Sequence, residues 1–247
     1  GRLYHEAYYL HLTPFLLTLA TNPQPGGQLK SNPKKYFLSV VGNIGVGKTT
    51  FAEMLAEHFG WKVYYEKVID NPYLPDYYAD MKKWSFHLQI YFFIHRFKDQ
   101  MEINRSTTSG VTDRSIHEDP EVFARILNKQ GFLSERDFQN YLELFESFKT
   151  FLPQPDLFIY LRATTWTLLS RIRNRGRDFE MGITAEFLHE LNLGYEYWAK
   201  KLANSHNLLI INTDRFDIEK DKSKRDSLLN IIQELLENPS VGSPTIA

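Results

Sequence analysis

Short apolar runs alternate with longer amphipathic stretches along most of the chain. Four of these runs are rich in Val, Ile, Leu and aromatic residues, which predicts β-strands, and a fifth, at residues 110–112, is short and a weak strand candidate. The predicted strands cover residues 36–41, 62–65, 110–112, 157–161 and 208–211.

The stretches between these runs carry apolar residues at the spacing of helices. Predicted helices cover residues 48–58, 81–103, 120–128, 135–150, 164–175, 185–203 and 223–236, and Ser134 is a suitable N-cap for the fourth. Repeated strand–helix alternation implies right-handed crossovers. We therefore expect an α/β, three-layer fold with a five-stranded parallel sheet flanked by helices. Ligands of such sheets bind beyond the carboxyl ends of the strands.

The two ends of the chain depart from this alternation. An aromatic-rich piece and a run rich in Pro and Gly occupy residues 1–34, which we expect to be an N-terminal extension and linker of unknown role. Residues 35–238 are expected to form one folded domain, and residues 239–247 a flexible tail. No stretch is long and apolar enough to span a bilayer, so we expect no membrane partner.

One glycine-rich loop carries the strongest chemical signal. The letters GNIGVGKT at residues 42–49 fit G-x-x-x-x-G-K-[ST], and they lie between a predicted strand and a predicted helix, as a phosphate-binding loop requires. Such a loop turns backbone N–H groups and a helix N-terminus toward phosphates. Lys48 is suited to the β- and γ-phosphates of ATP, and Thr49 to Mg²⁺. The expected ATP contacts are Gly42, Asn43, Ile44, Gly45, Val46, Gly47, Lys48, Thr49 and Thr50.

The loop alone does not distinguish a kinase from a GTPase or a motor ATPase. We find no Asn-Lys-x-Asp element for guanine, and the run before Asp113 is too short for the acidic strand of a motor. A small-molecule kinase needs a mobile basic lid, and residues 171–177 contain four arginines with a hinge at Gly176. Cations also favour any helix C-terminus, but guanidinium groups stabilise a transferring phosphoryl group. The candidate lid residues for ATP are Arg171, Arg175 and Arg177.

Composition narrows the range of partners. The chain has 29 basic and 30 acidic residues, so nothing suggests a surface for a nucleic acid polymer. Cysteine is absent, which excludes disulfides and cysteine metal sites and is compatible with a reducing compartment. We expect a cytoplasmic protein with small-molecule ligands.

Five segments carry motifs in a recognisable order. They are GNIGVGKTT at 42–50, WKVYYE at 61–66, WSFHLQ at 84–89, DRS at 113–115 and RGRDFE at 175–180. Together these motifs resemble those of the deoxyribonucleoside kinases, the family that includes deoxycytidine, deoxyguanosine and bacterial deoxyadenosine kinases. The bacterial purine-preferring members look most similar, because of residues 71–74 and 80–84. The resemblance implies a P-loop kinase fold with an arginine-rich lid, and transfer of phosphate from ATP to the 5′-hydroxyl of a deoxyribonucleoside.

The resemblance assigns roles at the reaction centre. Glu66, just past a predicted strand end, is the expected general base, which also orients the hydroxyl for attack. Lys48 and Arg114 are the expected catalytic cations, with Arg114 bridging phosphate and acceptor. Asp113 and Thr49 are the expected magnesium residues, partly through water, because Mg²⁺ keeps much of its hydration shell. Without the resemblance, Glu66 would more readily be interpreted as a surface residue.

Another group of residues is expected to bind the nucleoside. Gln89 and Arg96 are seven residues apart, so they share one face of the predicted helix. The amide of Gln89 offers a donor and an acceptor to a nucleobase edge. The resemblance pairs Arg96 with Asp119 beside the base, and assigns the sugar 3′-hydroxyl to Tyr78 and Glu180.

The resemblance extends to the ATP base, the assembly and the choice of substrate. Arg215 or Phe216, after the last predicted strand, is expected to lie against adenine. The helices at residues 81–103 and 135–150 are expected to pack in a homodimer, since both are more apolar than a one-sided surface helix. The Arg96–Asp119 pair crowds the space of a thymine methyl group, which disfavours thymidine. Purines are favoured over deoxycytidine by the resemblance alone.

Two other functions stay open at this point. A kinase-like structural subunit, such as an accessory subunit of mitochondrial respiratory complex I, is expected to lose the phosphate loop, whereas Lys48 and Thr49 are present here. A thymidylate-type nucleotide kinase needs further basic groups for a monophosphate acceptor. The helix around Gln89 fits a neutral nucleoside better.

Overall fold

A parallel sheet forms the centre of the fold and confirms the predicted α/β class. The computed structural model describes residues 34–68, 71–214, 221–239 and 245–246. Its strands are β1 (Phe37–Gly42), β2 (Lys62–Tyr64), β3 (Gly110–Asp113), β4 (Leu157–Arg162), β5 (Leu208–Asn212) and β6 (Thr245–Ile246). They lie in the order β2-β3-β1-β4-β5-β6, and each neighbouring pair is parallel.

Helices connect the strands, and all the predicted ones are present. A π-helical segment, Asp119–Phe123, leads into α4, and a 3-10 turn, Asp178–Glu180, follows α6. Helix α2 was not predicted, because its six residues are too few to show a helical periodicity of apolar positions. The helices are α1 (Lys48–Phe59), α2 (Leu74–Ala79), α3 (Met81–Arg105), α4 (Ala124–Lys129), α5 (Glu135–Lys149), α6 (Thr165–Arg175), α7 (Ala185–Leu202) and α8 (Lys222–Glu237).

Burial and capping explain why these segments form. Every residue of β1 is buried, and so is β4 except for Arg162, because a sheet covered on both faces needs continuous apolar strands. The predicted N-cap of α5 is confirmed, since the Ser134 hydroxyl accepts a hydrogen bond from the backbone N–H of Asp137 at 3.1 Å.

The strand register sets the position of the site. In β1 and β3, Val40 pairs with Asp113, and in β1 and β4, Gly42 pairs with Leu161. The carboxyl ends of the three central strands therefore meet at one edge of the sheet. The loop from β1 to α1 lies at this edge, as the strand–helix alternation predicts.

The C-terminal region adds one strand to the five that were predicted. Thr245 and Ile246 pair with Ile210 and Ile211 of β5. Residues 1–33, which include nearly all of the predicted extension, lie outside the described residues, as do Arg215 and Phe216. Within the described part of the chain, no helix has the length and apolar character needed to cross a membrane.

Candidate active site

The glycine-rich loop packs so closely that added atoms would not fit. Gly42 has φ +141° and Gly45 has φ +80°, which side chains rarely adopt. A Cβ atom on Gly42 would lie 2.5 Å from the carbonyl oxygen of Leu161, and one on Gly45 would lie 2.7 Å from Cγ1 of Ile172. The loop is therefore clamped between β4 and α6, with its curved backbone at the sheet edge.

Lys48 and Asn43 hold this loop through different partners. The Lys48 ammonium donates to the carbonyl oxygens of Gly42 and Asn43, each at 2.9 Å. Burial, together with nearby Arg114, lowers the pKa of Lys48 to about 8. The Asn43 side chain instead donates to Leu188 of α7 at 2.9 Å and is almost fully buried. Asn43 therefore anchors the loop with its side chain.

A single cavity of about 1190 Å³ extends from the phosphate loop to the buried ends of β2 and β3. Of the predicted site residues that the structure describes, all except Gly42 and Asn43 line it. We call the part of the cavity at the phosphate loop the donor half, and the part around Glu66, Gln89 and Arg96 the acceptor half. The two halves share one open space, which is the arrangement that a direct phosphoryl transfer needs.

A buried ion-pair network surrounds Glu66 in the acceptor half. Arg96 donates to both Glu66 and Asp119, and Nε of Arg114 donates to the second oxygen of Glu66 at 2.8 Å. The side chains of Arg96, Glu66 and Asp119 are 9%, 10% and 2% exposed. Burial alone would raise the pKa of Glu66, but Arg114, Arg96 and Lys48 outweigh it and lower that pKa to about 2.

Asp113 and Thr49 meet at the boundary between the two halves. The Thr49 hydroxyl donates to Asp113 at 2.5 Å, across the gap between α1 and β3. Burial raises the pKa of Asp113, although Lys48 opposes the shift. A hydroxyl and a carboxylate are hard oxygen donors that suit Mg²⁺, which needs few protein ligands beside phosphates and water. These two residues fit the predicted role.

The arginine-rich segment links the two halves. Arg171 donates to the carbonyl oxygens of Val46 at 3.0 Å and Thr213 at 2.6 Å, which ties the phosphate loop to the end of β5. Arg175 and Arg177, on either side of Gly176, form ion pairs with Glu180 at 2.5 and 3.3 Å. Two of the three predicted lid residues therefore engage the residue expected at the sugar.

The inner end of the cavity is built to receive a flat polar group. Gln89 is 4% exposed, and its Oε1 has no hydrogen-bond partner among the described residues. Phe92 lies 4.8 Å below the Arg96 guanidinium, and Phe123 lies 4.6 Å below that of Arg114. A buried amide oxygen without a partner, in a cavity that these arginines and rings also line, would suit the edge of a ligand.

Sequence reasoning missed several residues that support the site. Glu118 and Tyr195 bind the Arg114 guanidinium, each at 3.1 Å, and Thr213 receives Arg171. Glu118 is adjacent to Asp119 in an acidic pair that would equally suit a surface turn, and Tyr195 is one of 14 tyrosines. Of these residues, only Thr213 could have been identified as a site candidate from the sequence, because it lies just past the end of a predicted strand.

A parallel sheet with a phosphate loop between its first strand and helix, and an acceptor cavity beside it, defines a P-loop kinase fold. The sequence profile described as deoxynucleoside kinase matches residues 38–237, so the chain belongs to the deoxynucleoside kinase family.

Individual relatives agree with this family. The chain is 35% identical over 208 residues to the deoxyadenosine/deoxycytidine kinase of Bacillus subtilis, which covers 83% of this chain and 95% of the relative. It is 38% identical over 192 residues to the deoxyadenosine kinase of Dictyostelium discoideum, covering 78% of each. The structure of deoxyadenosine kinase from M. mycoides with bound dATP superimposes with a TM-score of 0.70 at 27% identity, covering 82% of this chain and 100% of that one.

Proposed function

We propose that this protein transfers the γ-phosphoryl group of ATP to the 5′-hydroxyl of a purine deoxyribonucleoside, with deoxycytidine as a possible alternative substrate, and so serves nucleotide salvage. The observation that carries the proposal is the position of Glu66. Its carboxylate faces the same cavity as Lys48 and the phosphate loop, between two arginines. The kinases of similar sequence from Bacillus subtilis and Dictyostelium discoideum support the nucleoside class.

Glu66 orients the acceptor hydroxyl and takes its proton. Because Arg114 and Arg96 hold its pKa at about 2, Glu66 is ionised at neutral pH and ready to accept a hydrogen bond. A weak base suffices, since the transition state of phosphoryl transfer is loose and gives the hydroxyl oxygen little charge until late. Arg114 binds this carboxylate and lines the same cavity as the phosphate loop, where it can stabilise the transferring group.

Several residues complete the proposed site. Thr49 and Asp113 would hold Mg²⁺, which neutralises charge on the ATP phosphates when bound. Arg171, Arg175 and Arg177 would contact the phosphates as the lid closes. Tyr78 and Glu180 would bind the sugar 3′-hydroxyl, and the release of Glu180 from its two arginines would couple sugar binding to lid position. A cytoplasmic location stays a prediction.

We further propose a homodimer built on α3 and α5. The rings of Phe97 in α3 and Phe148 in α5 lie 5.1 Å apart, and Phe148, Phe151 and Ile94 are exposed by 36%, 53% and 44%. Large exposed side chains that continue an aromatic cluster suit a self-complementary contact. Light scattering at micromolar concentration should give twice the mass of the chain, and a 29.0 kDa species would contradict the proposal.

An acceptor screen with ATP labelled at the γ-phosphate tests the function. The acceptors are deoxyadenosine, deoxyguanosine, deoxycytidine, thymidine, dAMP and dTMP. We expect labelled 5′-monophosphates from the purine nucleosides above all. A Lys48→Ala preparation, which should lose most turnover, controls for contaminating kinases. No transfer to any nucleoside, or preferential transfer to the monophosphates, would contradict the proposal.

A further inference from the structure

Arg114 is held in an unusual backbone conformation at the carboxyl end of β3. Its φ is +90°, and it is the one non-glycine residue with positive φ in the described part of the chain. Its backbone N–H donates to the carbonyl oxygen of Val40 at 2.9 Å. Such a conformation is unfavourable for a side chain and persists only where the surrounding contacts determine it.

Two carboxylates hold the Arg114 guanidinium from different sides. Nε donates to Glu66 at 2.8 Å, whereas Nη1 donates to Glu118 at 3.1 Å and to the Tyr195 hydroxyl at 3.1 Å. The ring of Phe123 supports the guanidinium plane at 4.6 Å. Arg114 therefore has an anchor that does not depend on Glu66.

Glu118 and Tyr195 form this anchor without touching the cavity. Both residues are 0% exposed, and neither lines the cavity, although Arg114 and Glu66 do. The Tyr195 hydroxyl donates to the second oxygen of Glu118 at 3.0 Å, so both carboxylate oxygens are engaged. Tyr195 is itself fixed, because its ring stacks on Tyr160 at 5.7 Å.

We propose that Glu118 and Tyr195 are a positioning pair for phosphoryl transfer, which holds Arg114 in place while Glu66 loosens its bond to Arg114 and binds the acceptor hydroxyl. This inference rests on the proposed function of Glu66. Without the pair, Arg114 would keep Glu66 as its one hydrogen-bonded carboxylate among the residues that the structure describes. The base would then be held more tightly and be less able to take a proton.

The electrostatic setting of Glu118 agrees with this role. Burial raises its pKa to about 7 even though Arg114, Lys48 and Arg96 favour the charged form, and Asp119 disfavours it. A carboxylate in such a place does little for stability, because desolvation offsets its ion pair. The contribution of Glu118 is instead to fix the position of the Arg114 guanidinium.

The test compares Glu118→Gln with Glu121→Gln, because Glu118 is the N-cap of the π-helical segment and Glu121 lies within that segment. Glu121 forms surface ion pairs with Lys201 and Arg125. We expect Glu118→Gln to lower kcat about 10- to 100-fold, the range of one charged hydrogen bond, with the KM of the nucleoside changed by less than about threefold. Glu121→Gln should leave both unchanged.

The pH profile separates positioning from a structural role. In the wild type, kcat should rise through a titration step near pH 7, where Glu118 ionises and begins to hold Arg114; Lys48 and Arg96 favour its ionised form and Asp119 disfavours it. Glu118→Gln should lack this step, because a neutral amide replaces the carboxylate. A purely structural role would lower the melting temperature in the variant and leave the wild type without such a step. Unchanged kcat and an unchanged pH profile in a folded Glu118→Gln protein would overturn the inference.

Tyr195→Phe provides a second variant that keeps the ring stack. It should reduce kcat less than Glu118→Gln, about three- to tenfold, because one ion pair remains. If Glu118→Gln does not fold, an unchanged kcat in Tyr195→Phe overturns the inference. An inactive wild-type protein would instead count against the proposed function, so the two failures are distinguishable.

Discussion

The donor and acceptor halves of the cavity are built on different principles. The donor half is one contiguous loop that presents backbone N–H groups, with Gly42 and Gly45 packed against neighbouring elements. The acceptor half consists of side chains from α3, the end of β3 and the π-helical segment, joined by ion pairs around Glu66. The donor half is therefore most easily broken by adding atoms, and the acceptor half by removing a charge.

The largest effect is expected from removing a charge in the acceptor half. Glu66→Gln keeps the shape of the side chain but cannot take a proton, so kcat should fall roughly 10²–10⁴-fold while the nucleoside still binds. Steady-state kinetics and calorimetric titration with deoxyadenosine measure the two quantities. Glu57→Gln, on the exposed face of α1, is the control. A Glu66→Gln enzyme with near wild-type kcat would remove the assignment of the base.

The next effect comes from adding one methyl group to the donor half. Gly45→Ala places a Cβ atom 2.7 Å from Ile172 and 3.0 Å from the carbonyl oxygen of Leu168, at φ +80°. We expect kcat/KM for ATP to fall about tenfold or more, since each 1.4 kcal/mol of distortion corresponds to a factor of about ten.

Gly131→Ala is the matched control for this substitution. Gly131 has φ +74°, but nothing lies within 4 Å of an added Cβ atom. Both variants should lose about 1–2 kcal/mol of stability from the backbone conformation, measured by denaturant unfolding. Only Gly45→Ala should change the kinetics with ATP. Equal kinetics in the two variants would show that the tight loop packing is unimportant.

A smaller effect is expected on substrate choice. The double variant Arg96→Met/Asp119→Ala removes the charged pair that is expected beside the base. It should raise kcat/KM for thymidine relative to deoxyadenosine about fivefold, as expected when a polar contact worth about 1 kcal/mol no longer opposes the methyl group. The ratio is the quantity to compare, because Arg96 also binds Glu66 and absolute rates will fall. Thymidine as the best substrate of the wild type, or no gain in the variant, would contradict this account.

The smallest effect concerns stability next to the acceptor half. Burial lowers the pKa of His117 to about 4, with smaller contributions from His206 and Lys149, and its ring packs against Phe145 and Phe158. The unfolded chain therefore binds more protons between about pH 6.5 and 4. The free energy of unfolding should fall in this window as pH is lowered, by at most about 1.4 kcal/mol per pH unit.

His117→Leu should flatten this part of the curve without changing kcat. Denaturant unfolding at pH 4.5, 5.5 and 6.5 measures the slope in both proteins. An identical slope in the variant would mean that His117 is not the group responsible.

The sequence by itself determined the features that depend on neighbouring residues. The phosphate loop at residues 42–49, the amphipathic helices and the Ser134 cap all follow from local spacing and short-range hydrogen bonds. The alternation of strand runs with helical stretches was enough to predict a parallel sheet, because parallel strands need long crossover connections. The loop of the donor half was therefore located from the sequence, and its contacts with ATP stay predictions.

The tertiary structure alone decided how charged side chains pair across the fold. Glu118 and Tyr195 are separated by 77 positions, and Arg171 and Val46 by 125, so no local pattern reveals these bonds. Both depend on the order of the strands and on the close packing of α6 and α7 at the sheet edge. Burial then sets the pKa values, because desolvation and ion pairing act through space and not along the chain.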